Sequence, residues 1–144
     1  MPDTGSPLIL MVEDDAPLAT IVARYLTAHG LPTEVAPSAE AAERRLATGR
    51  RPDLILLDIN LPGDTGWSLL RGRPFADAGR PPVVVVSATR ISSTRLHEYD
   101  IAGYLPKPFA METLLETVRR HTADVASDGV EAGLGGERLD VEMP

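Results

Sequence analysis

The sequence predicts an α/β protein of the doubly wound class: a five-stranded parallel sheet in the order 2-1-3-4-5 with helices on both faces. Three observations carry this reading. Residues 8–12, 54–57 and 83–86 are short runs apolar at every position, which is the pattern of strands covered on both faces, whereas one-sided strands alternate. These runs alternate with stretches apolar at helical spacing, the arrangement that gives parallel strands with crossover helices. Each run also stops at polar residues, namely Glu13-Asp14-Asp15, Asp58 and Ser87. Open parallel sheets place their ligand sites outside the carboxyl ends of the strands, at the switch point of strand order. Here that point lies between strands 1 and 3 and sets Glu13 and Asp14 beside Asp58.

The elements follow in order. Strand 1 is residues 8–12. Asp14 or Asp15 can cap the first helix, and Pro17 suits its first turn, where a missing amide proton is not needed. Leu18, Ile21, Val22, Tyr25 and Leu26 recur at helical spacing until Gly30 and Pro32 stop them. Residues 33–36 form a short strand 2. Ser38 is the expected cap of helix 2, with Glu40 favourably placed against the dipole of its first turn and Ala39, Ala42 and Leu46 facing inward. Gly49 ends helix 2, and strand 3 delivers Asp58. Helix 3 starts near Gly66, uses Trp67, Leu69 and Leu70, and is broken by Gly72 and Pro74. The β-branched residues 83–86 are strand 4. In residues 89–100 Ile91, Leu96 and Tyr99 can line one face, but Ser92, Ser93 and Thr94 are poor helix interior, so helix 4 is expected to be short or mobile. Residues 101–105 form strand 5, ending at Pro106-Lys107-Pro108. Helix 5 uses Met111, Leu114, Leu115 and Val118, and its periodicity ceases after His121. The expected division is an N-terminal extension at 1–6, one folded domain at 7–122, and a disordered acidic, Gly-rich tail at 123–144.

Composition narrows the function. The chain of 144 residues has a net charge of −7, of which −5 falls in residues 123–144 and −2 in the remainder. A near-neutral body without a basic stripe argues against nucleic-acid binding by this chain, since that binding rests on Lys and Arg neutralising phosphates. The absence of cysteine excludes disulfides, thiolate metal sites and thiol nucleophiles. No apolar run approaches the roughly 20 residues of a membrane span, and the start lacks a signal-peptide pattern. A cytoplasmic, membrane-free protein is expected.

The strand ends carry the chemistry. Three carboxylates at adjacent ends repel one another, and such a site either raises a pKa or holds a cation. Mg2+ is the natural partner, because it takes a few carboxylates, carbonyl oxygens and waters together with a phosphate oxygen. Ser87 adds a hydroxyl donor and Lys107 a positive charge. Carboxylates act as nucleophiles toward phosphoryl groups, and metal and lysine would neutralise the charge that transfer places on the phosphoryl oxygens. There is no Walker-type loop and no dinucleotide fingerprint, hence no evident ATP or NAD site.

Val-Glu-Asp-Asp after strand 1, Leu-Leu-Asp-Ile-Asn-Leu-Pro-Gly-Asp-Thr-Gly around Asp58, Ser-Ala after strand 4 and Gly-Tyr-Leu-Pro-Lys-Pro-Phe at strand 5 together resemble the receiver domain of two-component response regulators, a flavodoxin-like fold. The resemblance covers about residues 7 to 122 and implies that Asp58 is phosphorylated by the phosphohistidine of a sensor histidine kinase or phosphotransfer protein. It implies that Asp14 and Asp58 bind Mg2+ directly, Glu13 through water, and Asn60 by its backbone carbonyl. It gives Ser87, Lys107 and the amides of Asn60 and Ala88 to the phosphoryl oxygens, and makes Tyr104 a switch that turns inward when Ser87 is drawn to the phosphate. In the family the bond between Lys107 and Pro108 is usually cis, and Asn60 and Thr89 stand where phosphoryl lifetime is tuned. Residues 89–103 are shorter and less helical than the family's helix 4, and Ala110 stands where an acidic or hydroxyl cap of helix 5 is usual.

Two other classes compete. An aspartate-nucleophile phosphohydrolase would need an acid two residues beyond Asp58, where this chain has Asn60, so at most slow self-dephosphorylation is expected. A pure interaction module would not need Asp58, Ser87 and Lys107 together. The expected role is a single-domain regulator or relay that binds an unknown downstream protein and shifts a docking or dimerisation equilibrium, or else the receiver half of a longer DNA-binding regulator.

Overall fold

The computed structural model describes residues 5–61, 65–72 and 80–127. Five parallel strands, β1 (Ile9–Val12), β2 (Thr33–Ala36), β3 (Leu54–Asp58), β4 (Val83–Ser87) and β5 (Gly103–Pro106), form one sheet in the order β2-β1-β3-β4-β5. The helices among the described residues are α1 (Ala16–Ala28), α2 (Ala39–Leu46), α3 (Gly66–Arg71), α4 (Ser93–Glu98) and α5 (Met111–Ser127). The predicted doubly wound topology is the one observed.

The unbroken apolar runs are explained by two cores, one on each side of the sheet. Leu10, Val12, Ile55, Leu57, Val83 and Val85 face α2 and α3, meeting Ala39, Ala42, Leu69 and Leu70. Their chain neighbours Ile9, Met11, Leu54, Leu56, Val84 and Val86 face α1 and α5, meeting Val22, Leu26, Leu114 and Val118. Alternate side chains point to opposite faces, so burial on both sides requires an apolar residue at every step. The register aligns Leu57 with Val12 and Asp58 with Val86, which brings the carboxyl ends of β1, β3 and β4 to one edge.

Local signals set the helix starts. Asp15, and not Asp14, caps α1 by accepting from the Leu18 amide, and Ser38 caps α2 by accepting from the Ala41 amide. Ser92 caps α4 through the Arg95 amide, so the serine-rich stretch that reads as weak helix interior is a helix start. The resulting α4 is only six residues long and buries none of them.

Besides one-residue shifts at the ends of β1, β3 and β4, several boundaries or faces differ from the sequence reading. Ile21 lies on the solvent side of α1, 55% exposed, because Val22 and Leu26 with Leu18 and Tyr25 already complete the inner stripe. Strand β5 starts two residues late. Asp100 takes a left-handed φ of 55°, and Arg80 donates to the carbonyls of Tyr99 and Asp100, which holds that corner out of the sheet. Pro106 is tolerated within β5 because this is an edge strand. Helix α5 runs on to Ser127, past residue 122, because its inner row continues from Leu114 and Val118 into Thr122, whose hydroxyl donates back to the Val118 carbonyl. Apolar periodicity misses a buried threonine that satisfies itself in this way. Residues 128–144 of the expected tail, and Pro74, lie outside the described residues.

The loop after β3 is closed by a tight contact. The Gly66 amide donates to the Ile59 carbonyl at 3.0 Å. A Cβ at Gly66 would sit 2.7 Å from Ile59 Cδ1, 2.9 Å from Ile59 Cα and 3.0 Å from the Asp58 carbonyl oxygen. Two of those three are backbone atoms that cannot turn aside. Gly66→Ala is therefore expected to cost ~1–3 kcal/mol, a fall of several degrees in Tm by calorimetry. An unchanged Tm would show that the loop accommodates the methyl group without strain.

Candidate functional site

The site is built at the carboxyl ends of β1, β3, β4 and β5, each contributing through the residue that leaves its strand. Glu13 and Asp58 are almost wholly buried, while Asp14 is exposed. Their carboxylate oxygens lie within 4.8 Å of one another. Because Asp15 performs the capping, Asp14 is left to face the cluster.

Each oxygen of Asp58 has a separate partner. Oδ1 accepts from the Asn60 amide at 2.9 Å, and Oδ2 accepts from Lys107 Nζ at 3.2 Å. Lys107 also lies 3.0 Å from Glu13 Oε1, so one ammonium serves two buried acids. Glu13 Oε2 accepts from the Asp15 amide at 3.2 Å. Glu13 Oε1 has only the ion pair with Lys107, without a well-aligned hydrogen bond, among the described residues. Burial pushes the Glu13 carboxyl above the ordinary glutamate range; Lys107 offsets part of this and the charge of Asp58 adds to it. Burial alone would lower the Lys107 ammonium, but the contacts with Glu13 and Asp58 outweigh it and raise it.

This donor set fits a hard divalent cation. It offers three convergent carboxylates, an all-oxygen environment, and a buried oxygen lacking a hydrogen bond. A cation would relieve a repulsion that Lys107 relieves only in part.

The other expected site residues occupy the same edge. Ser87, fully buried, donates toward Asn60 Oδ1 and the Thr89 carbonyl, both at 3.0 Å, and accepts from the Thr89 amide at 2.9 Å. Ala88 follows on the surface. Tyr104 is half-buried, and its hydroxyl donates to the Thr89 carbonyl at 3.2 Å. The bond from Lys107 to Pro108 is cis. Sequence reasoning marked Asn60 but did not foresee its side-chain bonds with Ser87 and Thr89, and it read Gly66 only as a helix start. A glycine three residues beyond the turn signals Pro62-Gly63 was the available clue to a close approach.

Away from this edge, the Trp67 ring of α3 meets that of Tyr99 at the end of α4. Their rings stack at 4.9 Å, with the Arg95 guanidinium 4.7 Å over the indole, and Arg71 Nη1 donates to the Tyr99 hydroxyl at 2.8 Å. These contacts join α4 to α3. Among the described residues, no helix is long and apolar enough to cross a membrane.

The family model of the response regulator receiver domain matches residues 9–119. The transcriptional regulatory protein PrrA of Mycobacterium tuberculosis is 35% identical over 153 residues, covering 99% of this chain and 63% of PrrA. RstA of Escherichia coli, also a transcriptional regulatory protein, is 33% identical over 117 residues, covering 78% of this chain and 47% of its own length. The chain thus spans less than two thirds of these relatives. Among solved structures, a CheY-like receiver domain protein from Methanospirillum hungatei superposes with a TM-score of 0.76 at 22% identity, covering 86% of this chain and 99% of that one, a likeness of fold.

Glu13→Gln keeps the shape of the side chain and removes its charge. In EDTA the variant is expected to be more stable than wild type by ~1 kcal/mol, and its affinity for Mg2+ is expected to fall. The sign follows from the raised carboxyl. The folded state holds that proton more tightly than the unfolded state, so metal-free wild type loses stability as pH rises from the ordinary glutamate range through the raised value. The variant lacks that loss. Urea denaturation between pH 4 and 8 measures both, and a destabilised variant throughout would show that the Glu13 charge is already compensated.

Proposed function

The chain belongs to the response regulator receiver domain family, and from that premise we propose that Asp58 accepts a phosphoryl group from the phosphohistidine of a sensor histidine kinase or phosphotransfer protein. The observation that carries this reading is the Asp58 carboxylate at the end of β3, held between the Asn60 amide and Lys107 and grouped with Glu13 and Asp14. Receiver domains bind Mg2+ in such an acidic pocket. Here Asp14 and Asp58 would hold it directly, Glu13 through water, and Asn60 by its backbone carbonyl. Bound there, the ion supplies positive charge against the oxygens of the group being transferred.

The chain's own residues divide the remaining work. An oxygen of Asp58 forms the new bond to phosphorus while the bond between phosphorus and the donor imidazole nitrogen breaks, and the imidazole leaves. Lys107 exchanges its carboxylate partner for a phosphoryl oxygen, which the flexible stem of a lysine allows. The amides of Asn60 and Ala88 and the Ser87 hydroxyl donate to the other oxygens. When Ser87 moves to the phosphoryl group, Thr89 loses a partner and Tyr104 turns inward. The output is a change in binding to another protein or to a second copy of the chain. The receiver unit comprises residue 7 to the end of α5.

The family is one of signalling domains, which weighs against a phosphohydrolase; self-dephosphorylation is expected to be slow because Asn60 supplies no acid. A second reading is favoured by the relatives: both are transcriptional regulatory proteins of which this chain spans 63% and 47%, so the receiver is the regulatory part of a longer DNA-binding chain. The intact mass of the native protein separates the two readings.

Acetyl phosphate with Mg2+ is expected to add one phosphoryl group to the wild type by intact-mass analysis and none to Asp58→Asn. Lys107→Ala should label about tenfold more slowly, the scale of one lost contact to a charged group. A wild type that stays unlabelled, or an Asp58→Asn variant that labels normally, sinks the assignment.

A further inference from the structure

The two edges of the sheet carry opposite charge. Glu13, Asp14 and Asp58 stand at the carboxyl edge, whereas the amino edge gathers arginines from separate parts of the sequence. Arg50 and Arg51 lie in the loop from α2 to β3, and Arg80 lies just before β4. These loops are neighbours, since Ile55 pairs with Val83 and its amide donates to the Pro82 carbonyl at 3.0 Å. Arg71, the last residue of α3, meets Arg80 on Tyr99, one donating to the hydroxyl and the other to the carbonyl. Arg44 stands in the last turn of α2 beside Arg45, whose guanidinium donates to the Arg50 carbonyl at 2.8 Å.

Only part of this charge is matched. Arg45 pairs with Glu34 and Arg50 with Asp53. Glu43 Oε2 lies close to Gly72 at the end of α3, and the exposed Glu98 and Asp100 flank Tyr99. Among the described residues, however, Arg44 and Arg51 are exposed and in no ion pair, and Arg71 and Arg80 bond only neutral oxygens.

The segment that follows α5 is delivered to this same edge. His121 Nε2 is 3.1 Å from the carbonyl oxygen of Ala102, the residue before β5. Helix α5 has therefore run from the carboxyl to the amino edge by residue 121, and its remaining residues to Ser127 carry the backbone ~9 Å further. Residues 128–144 hold Asp128, Glu131, Glu137, Asp140 and Glu142 against Arg138, a net charge of −4. The stretch from Ser127 to Leu139 spans up to ~40 Å when extended, more than the ~20 Å width of a five-stranded sheet. Reach alone would serve either edge. Charge decides between them, because the carboxyl edge is acidic.

We propose that the acidic segment 128–144 docks on the arginine-rich amino edge at Arg44 and Arg51, an electrostatic clasp that covers this edge against other anionic partners. Exposed ion pairs are individually weak and are screened by salt. Tethering offsets that weakness, because it holds the segment at an effective concentration on the order of millimolar. The clasp lies on the opposite edge from Asp58 and does not depend on the receiver reading of that residue.

The chain has no cysteine, so Leu139→Cys gives the full chain a single nitroxide label among the acidic residues. At low salt the label is expected to cause loss of the amide NMR signals of Gly49 and Arg51 and to leave those of Asp14 and Ala88, at the other edge, intact. The loss should vanish in about 0.5 M NaCl, where the Debye length is ~4 Å. It should vanish as well when the five acids of the segment are replaced together by their amides, and when Arg44→Gln and Arg51→Gln are combined. Both arginines are exposed and unpaired among the described residues, so the second variant keeps the fold. Isotope-labelled chains without nitroxide, mixed with nitroxide-bearing chains without isotope, should show no loss; a loss there would seat the segment on a second copy and overturn the proposal. Absence of any loss at Arg51, equal loss at Asp14 and Ala88, or a loss that survives neutralisation of the five acids would overturn it too.

Discussion

The interaction on which the rest depends is the repulsion among three carboxylates that the fold forces into 4.8 Å. Two of them are buried, so water cannot screen them, and a single ammonium, that of Lys107, is divided between Glu13 and Asp58. A flexible framework would relieve this by spreading. The sheet does not, because β1 and β3 are buried on both faces and paired along their length, and any splaying would open two cores at once. Electrostatic tension is therefore held at the strand ends by apolar packing elsewhere. A dication or a rearranged lysine can release it there.

The strand ends differ in how firmly they are held. Glu13 and Asp58 emerge from central strands, whereas Lys107 follows an edge strand and Ser87 leads into a segment whose helix buries nothing. Hydrogen bonds and stacked rings carry what burial does not: Ser87 and Thr89 on Asn60, Tyr104 on Thr89, Arg71 and Arg95 on the Trp67–Tyr99 pair. Each such contact is worth on the order of 1 kcal/mol, against the several lost when a core residue is exposed. Elements that move in switching come from the low-stability part of a fold. By that measure the segment from Ser87 to Asp100 is held less firmly than the carboxylate cluster.

How much of this was legible in the sequence follows the same division. Residues 54–57 and 83–86 could be placed because burial on both faces leaves a pattern that few other environments produce. Asp58, Ser87 and Lys107 followed, since each is the polar residue at which an apolar run stops. Where polar groups carry the structure, the pattern is ambiguous. Ser92 reads as a poor helix former and is in fact a cap, Thr122 reads as the end of a helix and is part of its buried row, and Ile21 matches helical spacing yet faces solvent. Strand β5 was misplaced by two residues because its start is fixed by Arg80, some twenty positions away in sequence. The partners of the Asn60 side chain were hidden for a related reason. An exposed asparagine in a turn has many local uses, and only the approach of Ser87 and Thr89 from another strand selects one.

The placement of α4 follows from the same contrast between packing and polar contact. Leu96 of α4 and the flanking Ile91, Tyr99 and Ile101 lean partly buried on the α2–α3 core, but the helix contributes no fully buried residue of its own. Its position is set from one side by Trp67 and Arg71 of α3 and from the other by the Thr89 segment that Asn60 and Tyr104 share. A rotation of Tyr104 away from Thr89 removes support on the second side only. The aromatic and arginine contacts on α3 therefore hold α4 independently of the polar contacts at Thr89.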